Sequence, residues 1–114
     1  MPPTNSIERI VISESDFDRM QLDVIARLPE EACGLLAGLF DNQTAHVEHL
    51  FPMTNILHSP TKYQLDPKEQ YAVFCWLESN KMELVGIYHS HPHGPAYPSV
   101  TDQAEAFYTE AAYL

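Results

Sequence analysis

Residues 82–91, MELVGIYHSH, read as a β-strand in which Val85, Ile87, His89 and His91 share one parity and, while the chain stays extended, one face. Asn80 and Lys81 break the pattern before it, closing a helix that Pro67 opens and that runs to about Ser79. Ahead of that helix, TKYQLD (61–66) alternates as a strand would, behind a polar, proline-interrupted loop over residues 55–60. Further out, CGLLAGLF (33–40) is a near-continuous apolar run with two glycines, and AHVEHLFPM (45–53) can pair back on it across the turn-prone Asp41-Asn42-Gln43. A short β-branched strand is expected in SIERIVIS (6–13), after a loose tail over residues 1–6. Ser15 then caps a helix with Asp16 and Asp18 in its first turn. Its stripe of Phe17, Met20, Val24, Ile25 and Leu28, ended by Pro29, is expected to pack on the sheet. Downstream, PHGPAYP (92–98) is a stiff irregular loop, and TDQAEAFYTEAAYL (101–114) offers a last helix. Strands alternating with at least three helices predict an α/β or α+β fold, a mixed β-sheet flanked by helices. With no internal repeat or linker, residues 1–114 read as a single domain.

Composition narrows the function. A chain of 114 residues with 45% hydrophobic and 11% aromatic residues can bury one core, and 19% charged residues is too few for a disordered acidic tail. Six Lys and Arg against 16 Asp and Glu give a net charge of −10, which repels phosphate backbones and anionic lipid, so neither nucleic acid nor a membrane surface is an expected partner. All six basic residues lie at or before Lys81; the acidic excess beyond suits a cationic ligand or serves solubility alone. No apolar run approaches a membrane span, no secretory signal opens the chain, and Cys33 and Cys75 are the only cysteines. A cytoplasmic protein with reduced thiols is expected, both cysteines acting as buried apolar fillers.

The densest group of metal-capable side chains lies in YHSHPHGPAYPSVTD (88–102), which holds His89, His91, His93 and Asp102. Imidazoles at i and i+2 of a strand share a face, and a carboxylate arriving from the next helix completes three protein ligands, leaving a fourth tetrahedral position for water. Ser99 and Asp102 alone fit an S-x-x-D helix cap equally well. The full H-x-H-x7-S-x-x-D spacing is rarer: with 6 His, 7 Ser and 6 Asp in the chain, random placement produces it with a probability on the order of one in a thousand. Glu31, in PEEACGLLAG between the first helix and the second strand, is an acid that could face the same site. His46, His49 and His58 are scattered, and the opposite parity of His46 and His49 argues against a second metal site.

Glu31 in its P-x-E-x-C-G-L-L context, with His89, His91, Ser99 and Asp102, resembles the JAMM, or MPN-plus, metalloprotease family at all five signature positions. HSHPHGPAYPS, with no long insertion, is most similar to small bacterial members related to the sulfur-carrier-protein–cysteine hydrolases. The resemblance runs from about Ser6 to the end of the chain. It implies a cytidine-deaminase-like sheet-and-helix fold and one Zn²⁺ per chain held by His89, His91 and Asp102. Glu31 would be the general base and Ser99 the oxyanion donor. The implied substrate is a peptide or isopeptide bond at the C-terminus of a ubiquitin-like or sulfur-carrier protein. His93 has no ligand role in the motif and is expected at most to contact substrate. A strand normally follows the family's last helix, and the chain is expected to lack it, as a truncated form would. A non-catalytic scaffold is the alternative. The H-x-E and P-C-x-x-C elements of zinc deaminases and the H-E-x-x-H of other zinc proteases are absent.

Overall fold

The computed structural model describes residues 8–92 and the backbone of residues 112 and 113. In chain order these form β1 (Arg9–Val11), α1 (Glu14–Arg27), β2 (Cys33–Asp41), β3 (Thr44–Met53), α2 (Pro67–Ser79), β4 (Glu83–His89) and β5 (Ala112–Tyr113). The strands make one mixed sheet in the order β1-β3-β2-β4-β5. β2 runs antiparallel to β3 and β4, while β1 joins β3 and β5 joins β4 in parallel. The helix predicted over residues 101–114 lies outside the described residues except at its end. There Ala112 and Tyr113 are strand, not helix, and pair with Gly86 and Ile87, giving the exposed edge of β4 partners for its backbone. A strand therefore does follow the histidine-rich loop. No helix among the described residues is long and apolar enough to cross a membrane.

β2 organises the rest. Cys33, Leu35, Leu36 and Ala37 are fully buried because both faces of this central strand are covered, which is why its sequence is a continuous apolar run and not an alternation. On one face Leu36, Leu50, Val47 and Tyr88 pack with Met20 of α1; on the other Leu35, Met53 and Ile87 pack with Val73 and Leu77 of α2. α2 matches its predicted span, with Asp66 capping the Lys68 amide at 2.8 Å and Pro67 opening the first turn.

Two bulges modify the predicted alternation. Leu36 pairs with Gly86 but Ala37 with Leu84, so Val85 is an extra residue in β4. Val85 consequently points into the α1-side core, while Ile87 lies in the α2-side core, so the parity predicted from Val85 to His89 breaks at the bulge. Across β2, Ala37 pairs with His49 and Gly38 with Val47, leaving Glu48 extra in β3. That bulge cancels the opposite parity of His46 and His49. TKYQLD forms no ladder; an isolated bridge joins Leu65 to Asn55, the Lys62 carbonyl and the Gln64 amide bond the Asn55 side chain, and the Thr61 and Lys62 amides donate to Ser59 Oγ.

α1 begins earlier and turns differently from the prediction. Its cap is Ser13, whose hydroxyl accepts from the Asp16 amide at 3.0 Å. Met20 is its buried residue, whereas Phe17, Ile25 and Leu28 of the predicted stripe are exposed. The rotation follows from Tyr88, whose hydroxyl donates to Asp23 Oδ2 at 2.7 Å while Arg27 Nε meets Asp23 Oδ1 at 3.2 Å. A buried phenol needs a partner, so the helix presents Asp23 and Arg27 to the sheet. Burial, then the bond to Asp23, push the Tyr88 phenol far above its ordinary range, keeping it a neutral donor. Its ring lies over Gly34 on the neighbouring strand, where any Cβ would collide with it. Tyr88→Phe should therefore cost about 1–3 kcal/mol, read as a lower urea midpoint at unchanged slope, and Gly34→Ala should cost more.

Candidate metal and catalytic site

The pairing of β2 with β4 ends at Cys33 and His89 and is carried one step further by a reciprocal clamp. The Ala32 amide donates to Ser90 Oγ at 2.8 Å, and the Ser90 amide donates to the Ala32 carbonyl at 3.0 Å. This fixes the connection carrying Glu31 against the segment carrying both histidines. Glu31 is itself tied on both sides: its amide donates to the Ser59 carbonyl at 2.8 Å, and its carbonyl accepts from Asn55 Nδ2 at 3.0 Å.

The side chains converge on the α2 side of the sheet. Glu31 Oε1 lies 2.9 Å from His89 Nδ1, with the Glu31 and His89 side chains 3% and 0% exposed. A carboxylate accepts, so Nδ1 carries the hydrogen, and in the neutral ring this leaves the lone pair on Nε2, the tautomer a metal requires. His91 lies beyond the end of β4, its ring 4.7 Å from that of His89 and nearly perpendicular to it, and both Nε2 atoms are buried. One ligand atom from each of Glu31, His89 and His91 falls within 4.8 Å of the others, and among the described residues no other three His, Cys, Asp or Glu side chains converge in this way. His89 and His91 offer a divalent transition metal two imidazole ligands, with the Glu31 carboxylate beside them.

Glu31, His89 and His91 are thus brought together. His93, Ser99 and Asp102 lie outside the described residues. Three contributors were not legible as site residues: Ser90, Asn55, and Tyr63, whose ring stacks on His89 at 4.8 Å and 21°. Ser90 had one available signal, its place between the two histidines. Asn55 sits in the polar loop over residues 55–60, and Tyr63 in a segment whose alternation suits an ordinary strand.

Cys33 borders the site without joining its chemistry. Burial pushes its thiol up to about 12, so it stays protonated at neutral pH, its Sγ 3.9 Å from the Met53 carbonyl. Cys75, expected to be buried, is exposed, because α2 buries Val73 and Leu77 and a residue two places from either faces away. An alkylating reagent at neutral pH should add one label to the native chain, at Cys75, and a second at Cys33 only after denaturation, as peptide mass mapping would show.

Fold and site together define an α/β domain with a His-x-His pair at the end of an inner strand and a buried glutamate against it. The chain belongs to the family of prokaryotic homologs of the JAB domain, whose model matches residues 13–114. It is 39% identical over 87 residues to a desampylase of Haloferax volcanii, covering 75% of this chain and 61% of the relative. It is 44% identical over 86 residues to a CysO-cysteine peptidase of Mycobacterium tuberculosis, covering 75% and 58%. The chain thus spans about three-fifths of the length of these curated relatives. A solution structure of a Desulfitobacterium hafniense protein superposes with a TM-score of 0.73 at 34% identity, covering 87% of this chain and 66% of that one.

Proposed function

We propose that residues 1–114 act as one zinc-dependent hydrolase domain cleaving a peptide or isopeptide bond at the C-terminus of a small ubiquitin-like or sulfur-carrier protein, such as a carrier–cysteine adduct. The observation that carries this reading is the buried convergence of Glu31, His89 and His91 in a chain of this family. The names of the relatives, a desampylase and a CysO-cysteine peptidase, support the substrate class.

In this reading His89 and His91, with Asp102, would hold one zinc ion. Zinc would supply Lewis-acid polarisation of the scissile carbonyl and acidify a water. Glu31 takes the proton from the attacking water and returns it to the leaving amine. Its Oε1 is the atom that meets His89 Nδ1. The Ser99 hydroxyl donates to the developing oxyanion. His93 contacts the substrate. Burial of Glu31 and His89 keeps bulk water from competing for the same hydrogen bonds.

Elemental analysis of protein purified without chelator should find close to one zinc per chain, lost in His89→Ala. Glu31→Gln should retain the zinc and slow hydrolysis of a CysO–cysteine adduct by about 10²–10⁴-fold. No zinc uptake by the folded chain would favour the non-catalytic scaffold instead. Unchanged turnover in Glu31→Gln would remove the glutamate from the mechanism.

A further inference from the structure

Asn55 is 1% exposed and lies just after β3, outside every strand and helix. Its amide is used at both ends. Nδ2 donates to the Glu31 carbonyl at 3.0 Å and the Lys62 carbonyl at 3.0 Å, with a longer contact to the Ser59 carbonyl at 3.4 Å. Oδ1 accepts from the Leu57 and Gln64 amides, each at 3.1 Å. Apart from the one with Leu57, these contacts fall into two groups. The first holds Glu31, because the Ser59 carbonyl beside Asn55 also receives the Glu31 amide at 2.8 Å. The second grips the backbone of Lys62 and Gln64 and so fixes Tyr63 between them, whose ring lies on His89.

We propose that Asn55 is a positioning residue for hydrolysis, one side chain that sets Glu31 against the Nδ1 edge of His89 and Tyr63 against its ring face. The inference rests on the proposed role of Glu31 as proton acceptor. An amide is required: three carbonyls and two amides converge on it, and no other side chain of this length both donates two hydrogens and accepts two. Aspartate has the same shape but meets the three carbonyls with acceptors alone. Displacing the acid by a fraction of an ångström leaves His89 and His91 in place while spoiling the alignment on which the rate depends.

The test uses the full zinc-loaded chain with the CysO–cysteine adduct as substrate, at a temperature well below each variant's unfolding midpoint. Asn55→Asp should lower kcat by about 10–100-fold, with KM and zinc content within about twofold of wild type. The His89 Nδ1 hydrogen, seen by NMR in protein with nitrogen-labelled histidine, should move upfield as its bond to Glu31 lengthens. Should Asn55→Asp fail to fold, Asn55→Ser, whose hydroxyl is too short to reach Glu31, carries the same readouts. A folded variant with wild-type kcat overturns the proposal, as does a fall in kcat with the His89 resonance unmoved. Glu31→Gln, run alongside, separates the two readings: if it is inactive while Asn55→Asp is not, only the positioning role fails.

Discussion

The join between Ala32 and Ser90 is the contact on which the site depends. It extends the β2–β4 ladder past its last regular pair by two hydrogen bonds, one of them to a side chain, at the point where both strands end. Without it Glu31 and His91, each lying just beyond regular structure, would hang on loops of independent geometry. With it, a carboxylate from one end of the sequence and two imidazoles from the other share one rigid frame.

Tyr88 and His89 show how β4 divides its labour. Adjacent residues of a strand point to opposite faces, so the chain places an anchor and a reactive group back to back. Tyr88 holds α1 through Asp23 and needs Gly34 beneath it; His89 meets Glu31 and Tyr63 on the other side. The polar pair Asp23 and Arg27 takes the sheet-facing side of α1, which leaves Phe17, Leu22 and Ile25 outside the core.

Much of this could be read from residue order. The β2–β3 hairpin, the Pro67 helix and the strand before the histidines depend on local chemistry, and they lie where turn residues, caps and apolar runs place them. The nearness of His89 and His91 follows from their spacing, whereas Glu31 stands out by its resemblance to the family motif and not by parity or spacing. What escaped depends on long-range partners. α1 was read from its apolar stripe, but a phenol 65 residues away decides which side faces the sheet. TKYQLD alternates like a strand, yet the Asn55 amide occupies the backbone groups that a ladder would use. The parity from Val85 to His89 failed because a bulge has no signature in single-strand alternation.

Those bulges carry a consequence for chain length. Val85 and Glu48 are surplus to the ladder: excise either, and Gly86 still opposes Leu36, Leu84 still opposes Ala37, and His49 and Val47 still face Ala37 and Gly38. The strands flanking Ala37 can therefore gain or lose a residue there without changing the register of the stretch from Gly86 to His89. A change in chain length at the far half of the sheet is absorbed before it reaches the end that carries His89, so the histidines keep their place.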